Sequence, residues 1–193
     1  MELLKRKIKI IILSGKARSG KDEVADIIID YFKDKKVKRL SYAYYLKQYV
    51  KSISDWDGSE DDKPRELLQT IGIDLLKNTI DNKLLIRRML EDIDVYSYFY
   101  DIIVITDARL VDEIDDIKNK YNDCYCIRIN RNTSNGLTNN QKEHITETGL
   151  DNYNNFDYKI DNNDDYDNLK DKVCTVLEEI TWKQRLNLFW QKS

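Results

Sequence analysis

Gly15-Lys16-Ala17-Arg18-Ser19-Gly20-Lys21 is the segment whose residue types and spacing point most directly to chemistry. It matches G-x-x-x-x-G-K. The glycines let successive backbone N–H groups curl around an anion. A helix starting just beyond adds the positive end of its dipole, and Lys21 reaches the β and γ oxygens of a triphosphate. With 6 glycines in 193 residues, a chance match arises about one or two times in a hundred. The alternative is a tight strand-to-helix turn that binds nothing. Gly15, Lys16, Ala17, Arg18, Ser19, Gly20, Lys21 and Asp22 are therefore the expected cradle for ATP. The motif usually continues with Ser or Thr, whose hydroxyl ligates Mg²⁺. Asp22 stands at that position, and a carboxylate also ligates Mg²⁺, directly or through water. The alternative for Asp22 is a plain first-turn acid favoured by the helix dipole.

A second chemical signal is the apolar run Ile102-Ile103-Val104-Ile105-Thr106, which ends in Asp107-Ala108-Arg109. An acid at the carboxyl end of a buried strand stands where ligands bind in open α/β sheets, and Asp107 is expected to hold or orient Mg²⁺. Arg109 would enter the same crevice and grip a substrate phosphate bidentately. Taken singly, Asp107 reads also as a helix N-cap and Arg109 as a surface ion pair; together they favour a site. Arg65 and Gln69 lie four apart, on one helical face, as a ligand contact or an exposed polar stripe. Tyr42, Tyr45 and Tyr49 share another face, which reads as core rather than as a stacking wall. His144 is the only histidine. It reads as structural, because a phosphate acceptor is already an oxyanion and needs no base. Cys124, Cys126 and Cys174 read as small buried residues in a reducing compartment. With one histidine they are too few for a metal site.

These groups need a scaffold, and the hydrophobic patterning supplies one. Continuous β-branched runs at Ile8–Ser14 and Ile102–Thr106 predict strands buried on both faces. Further strands are expected at Val37–Leu40, Cys124–Asn130 and Tyr158–Ile160. Helical spacing predicts helices over Asp22–Tyr31, Tyr42–Ile53, residues 65–78 and 83–93, Val111–Tyr121 and Asp165–Glu179, with a helical extension over Thr181–Trp190. Asn132–Gln141, rich in Asn, Thr, Ser and Gly, reads as a loop. Strands alternating with helices imply right-handed crossovers and a parallel sheet covered on both faces, an α/β fold. Pro64 follows the acidic loop 55–62, which reads as a surface break rather than a domain boundary.

Length and composition narrow the partners. A chain of 193 residues, 41% hydrophobic and 35% charged, suits one domain with a sizeable core. A net charge of -3 gives no basic field, so neither nucleic acid nor an anionic membrane is an expected partner. The start of the chain lacks the apolar core of about 7–15 residues that marks a signal peptide. No apolar run approaches the roughly 20 residues needed to span a bilayer, so a cytoplasmic location is expected. Trp182, Leu186, Leu188, Phe189 and Trp190 form a terminal apolar stripe. It either packs back on the domain or meets a partner, which keeps a homodimer among the expectations.

Four ordered blocks carry a family resemblance: Gly15-x-x-x-Ser19-Gly20-Lys21-Asp22, Arg65-x-Leu67-Leu68-Gln69-x-x-Gly72, Asp107-x-Arg109-x-x-x-Glu113 and His144-x-x-Glu147-x-x-Leu150-Asp151. With the tail Phe156-Asp157-Tyr158-x-Ile160-Asp161-Asn162, the chain resembles the deoxynucleoside monophosphate kinases of bacteriophages and their bacterial relatives. Several marks, among them Glu147-Thr148-Gly149-Leu150-Asp151-Asn152, are also similar to animal-type phosphomevalonate kinases. The Arg65–Gly72 block favours the nucleotide enzymes. The resemblance implies a three-layer P-loop kinase fold with about five parallel strands, a helical acceptor-binding region over 41–98 and a short lid over 131–143. It implies ATP and Mg²⁺, a nucleotide acceptor held by Arg65, Gln69, Arg109 and Lys47, and Arg18 aimed at the transferring phosphoryl group. It also implies a lid cation. Arg131 fits better than Arg128, because Arg128 alternates with Ile127 and Ile129 and is expected on a solvent face. The lid segment Asn132–Asn140 contains no arginine, which departs from the family pattern.

Overall fold

The structure is a computed structural model that describes residues 3–59, 64–132 and 143–190; the side chains of Arg65 and of residues 183–190 lie outside that description. Five strands form one sheet: β1 (Lys9–Ser14), β2 (Val37–Leu40), β3 (Ile102–Ala108), β4 (Cys124–Asn130) and β5 (Tyr158–Asp161). Their order is β2-β3-β1-β4-β5, and every neighbouring pair is parallel. The P-loop leaves β1 at the centre, flanked by the ends of β3 and β4.

Alternation along each strand feeds two cores. Ile11, Leu13, Val104, Ile127 and Ile129 point to one face, which α1 (Lys21–Tyr31) covers with Val24, Ala25 and Ile28. The C-terminal helix, Tyr166–Trp190, adds Leu169, Val173, Leu177 and Ile180 to that layer. Ile10, Ile12, Ile103, Ile105, Cys124 and Cys126 point to the other face. There they meet α2 (Tyr42–Ile53), α4 (Leu84–Tyr96) and α5 (Val111–Lys120) through Tyr42, Tyr45, Met89, Ile93, Ile114 and Ile117. This is the expected three-layer α/β arrangement. Tyr42 and Tyr45 are core residues, 4% and 5% exposed, as their spacing predicts.

Two helices differ from expectation. The segment predicted as one α-helix over 65–78 is a short α3 (Arg65–Gln69) that widens into a π-helix over Thr70–Ile80. Its hydrogen bonds reach five residues back, as in Asp81 N–H to the Leu76 carbonyl at 2.8 Å. The wider coil brings Ile71 and Leu76, five apart, into a third small core with Val50 and Leu68. Gly72 takes part in this close packing, since a Cβ there would stand 3.1 Å from Leu46. At the C-terminus, the closing helix and its extension are one 25-residue helix. Ile180 is buried and the Thr181 hydroxyl donates to the Leu177 carbonyl at 2.8 Å, so nothing breaks the coil there. One short helix, Ile145–Thr148, was not expected from spacing and is numbered α6, making Tyr166–Trp190 α7. No helix among the described residues is long and apolar enough to cross a membrane.

Candidate active site

The phosphate loop is held from outside by two close approaches. A Cβ on Gly15 would stand 2.6 Å from the Ile129 carbonyl oxygen. Gly20 has φ +93°, and a Cβ there would meet Asn162 Nδ2 at 2.2 Å. Asn162, just past β5, donates from the same nitrogen to the Ser19 carbonyl at 3.0 Å. Arg18 is exposed and has φ +60°, a left-handed conformation rare for a residue with a side chain. Such local strain at a loop apex accompanies functional sites.

Lys21 folds back over the loop. Its Nζ donates to the carbonyls of Gly15 and Lys16, both at 2.8 Å. Burial and then the nearby Arg109 charge hold its ammonium down to about 8. Lys16, by contrast, is exposed and pairs with Asp151 at 3.0 Å. Asp22 stands exposed in the first turn of α1 and pairs with Arg39.

Asp107 sits at the end of β3 with both oxygens on the start of α2. One accepts the Tyr42 N–H and the other the Ala43 N–H, each at 2.8 Å. Burial raises its carboxyl above the usual range. Asp107 is itself no N-cap residue: Ser41 holds that position on α2 and Leu110 on α5, and Asp107 reaches from β3 to two free N–H groups of the first turn of α2. Among the described residues no cluster of three or more His, Cys, Asp or Glu could hold a metal by itself. Mg²⁺ takes one or two carboxylates and completes its shell with water and substrate phosphates, and Asp22 and Asp107, the carboxylates expected to hold it, both act on the Lys21 charge at the loop.

Arg109 is fixed at both ends. Its backbone N–H donates to Glu113 Oε2 at 2.7 Å. Its guanidinium donates to the Thr146 carbonyl at 3.0 Å and pairs with Glu147. The second oxygen of Glu147 accepts the Ala17 N–H of the phosphate loop at 2.8 Å. Glu113 also accepts the Leu110 N–H, and burial raises its carboxyl to about 7.

A cleft is lined by Lys47 of α2, Gln69 of α3, Arg109, Glu113 and Glu147, the last of which also holds the loop at Ala17. Its walls are aliphatic, from Leu46, Leu68, Ile73, Leu76, Leu85 and Ile86. The π-helix supplies part of that wall through Gly72, Ile73, Leu76 and Lys77. Three of the four acceptor residues expected from sequence thus share one cleft; the Arg65 side chain lies outside the described residues.

Arg128 corrects an expectation. It faces the interior rather than solvent, with its side chain 11% exposed. Nη1 donates to Ser14 Oγ at 3.0 Å, and the guanidinium lies over the Phe156 ring. The reason is that β4 is covered on both faces, so the position alternating with Ile127 and Ile129 is also interior. Arg131 is exposed at the end of β4. Of the expected lid, residues 133–142 lie outside the described residues. His144 is structural, as expected: its Nδ1 accepts the Thr146 N–H at 3.3 Å and caps α6. Sequence reasoning missed Glu147 and Glu113 as site groups, although both lie within the blocks that carry the resemblance.

Similar solved structures include a gluconokinase from Sinorhizobium meliloti, at 11% identity and TM-score 0.56, covering 97% of this chain and 99% of that one. The Mycobacterium tuberculosis APS kinase in complex with AMPPNP and APS matches at 13% identity and TM-score 0.54, over 90% and 99%. Dephospho-CoA kinase from Campylobacter jejuni matches at 12% and 0.53, over 90% and 98%. At these identities the likeness establishes the P-loop kinase fold. No curated protein matches the sequence significantly. The family model described as deoxynucleotide monophosphate kinase matches residues 56–173, more than half the chain, a stretch that includes Gln69, Asp107, Arg109 and Glu147 but neither the phosphate loop nor the α2 wall of the cleft. By that match the chain belongs to the deoxynucleotide monophosphate kinase family.

Proposed function

We propose that this kinase transfers the γ-phosphoryl of ATP to a nucleoside or deoxynucleoside monophosphate, giving the diphosphate and ADP. The observation that carries the reading is the cleft: Lys47, Gln69 and Arg109, from three separate elements, line one cavity, and Glu147 in its wall accepts the Ala17 N–H of the phosphate loop. In this reading residues 15–22 hold the β- and γ-phosphates, with Lys21 leaving the Gly15 and Lys16 carbonyls to reach them. Arg109 holds the acceptor phosphate, with Arg65 and Arg18 as further cations and Arg131 on the lid side. The acceptor oxygen is already anionic, so the chain need only align it in line with the γ-phosphorus and neutralise charge, with no covalent intermediate. Asp22 and Asp107 are the carboxylates that would hold Mg²⁺, partly through water. The metal held there would supply neutralisation of the phosphate charge. A cytoplasmic location goes with nucleotide substrates and three free thiols.

A second reading rests on the aliphatic wall of the cleft, which would also take the short hydrocarbon backbone of a charged acceptor such as phosphomevalonate, or the pantetheine arm of dephospho-coenzyme A. A coupled ADP-release assay over the ribo- and deoxynucleoside monophosphates, phosphomevalonate and dephospho-coenzyme A separates the two. Stimulation by a nucleoside monophosphate is the expected result. ADP release indifferent to every acceptor sinks both.

A further inference from the structure

We propose that Glu147 is a positioning residue that ties the acceptor-phosphate arginine to the phosphate loop, fixing the distance between the two substrates' reacting phosphates. The inference rests on the reading of Arg109 given above. Glu147 is 8% exposed and both of its oxygens are engaged. Oε2 accepts the Ala17 N–H at 2.8 Å and Oε1 pairs with the Arg109 guanidinium. One carboxylate therefore touches the loop for one substrate and the cation for the other. Among the described residues, both guanidinium contacts of Arg109 fall on Nη1. Its fork has further N–H donors to offer an acceptor phosphate. Glu113 anchors the backbone of the same arginine, so little freedom remains in where that fork stands.

The opposite role would make Glu147 a competitor, sitting where the acceptor phosphate binds and swinging away on its arrival. The geometry disfavours this. Displacement would break the loop bond and the ion pair together and leave a buried carboxylate unpaired, which is strongly unfavourable. A strut that stays in place has no such penalty.

The test is Glu147→Gln, close in volume but able to accept from only one of the two partners. Steady-state kinetics with ATP and each of the ribo- and deoxynucleoside monophosphates give the readout, beside thermal melting and titration with AMP-PNP. Expected is a kcat lower by about 10- to 100-fold with a raised acceptor KM, as for a misplaced reacting group. Combined with Arg109→Ala, the change should add little, within about twofold, because it acts through that arginine. Independent, multiplying losses would mark a purely structural role and overturn the proposal. A lowered acceptor KM would mark the competitor and also overturn it. Glu147→Asp, which keeps the charge but is one methylene too short to span both partners, should be impaired too; wild-type activity from it would show that no bridge is needed. If no monophosphate is phosphorylated by the unmodified protein, the proposed function fails and takes this inference with it. If the unmodified protein is active and Arg109→Ala is not, while Glu147→Gln matches wild type, only this inference fails.

Discussion

The Asp107 carboxylate accepts the Tyr42 N–H at 2.8 Å, and through its other oxygen the neighbouring Ala43 N–H at the same distance. The end of strand β3 is thereby fastened to the first turn of α2, the helix that carries Lys47 into the cleft. Ser41 Oγ completes the cap by accepting the Tyr44 N–H at 3.1 Å. The same carboxylate is a proposed Mg²⁺ ligand, and the two roles are separable. Asp107→Asn keeps one acceptor but turns an NH₂ toward the second amide. It is expected to cost about 1–3 kcal/mol of stability in urea denaturation. If Asp107 also organises the metal, the Mg²⁺ concentration for half-maximal activity rises as well. Lower stability at unchanged Mg²⁺ dependence would confine Asp107 to capping.

Lys21 gives a pH signature. Burial, and then Arg109, lowers its ammonium to about 8, so in the ligand-free protein it loses its charge as the pH rises past that value. Bound phosphates restore the charge by attracting the proton. Affinity for AMP-PNP should therefore fall by up to about tenfold per pH unit above 8, with proton uptake on binding. Isothermal titration in buffers of differing ionisation enthalpy reads that uptake. Lys21→Arg, charged throughout, should remove the dependence, and Lys21→Ala should abolish turnover. A flat profile in the unmodified protein would show that Lys21 does not meet the phosphates.

Much of this architecture was legible because its signals are local. The β-branched runs ending at Ser14 and Thr106 predict buried strands, and the glycines and Lys21 predict the loop between strand and helix. What could not be read depends on distant partners or on backbone choice. Glu147 meets Ala17 across 130 positions of chain, and no periodicity in either segment encodes that bond. Arg128 was expected in solvent because alternation with isoleucine implies a wet face, an inference that fails where helices cover both sides of a sheet. The π-helix escaped because its apolar positions satisfy helical spacing roughly; the bond from Asp81 back to Leu76, which distinguishes it, is a property of the packed chain.

Gly72 tests the cleft by steric means. It lines the cleft from the π-helix, with Leu46 facing it closely enough to stand 3.1 Å from an added Cβ. Gly72→Val should crowd the cavity and raise the acceptor KM by about tenfold or more, in line with the 1–3 kcal/mol that small volume changes in apolar pockets command. AMP-PNP binding at the loop should stay unchanged. Equal losses for both ligands would mean that the cavity is not where the acceptor sits.

Glu113 supplies a pH prediction of the opposite kind, in stability rather than binding. Burial raises its carboxyl from 4.5 to about 7, while Oε2 keeps accepting the Arg109 and Leu110 N–H groups. Between those two values the folded chain holds a proton that the unfolded chain has released. Stability from this group is therefore complete below about pH 4.5, falls as the pH rises through 7, and is flat above, a loss on the order of 3 kcal/mol. Asp107, also raised by burial, adds to the fall in the same direction. Glu113→Gln keeps an oxygen for the two amides and cannot ionise. The difference in unfolding free energy between the variant and the parent should widen in favour of the variant from pH 5 to pH 7.5. Denaturant titrations at intervals across that range measure it. Parallel curves would show that Glu113 stays ionised in the folded protein, with Arg109 and the two amides compensating for its burial.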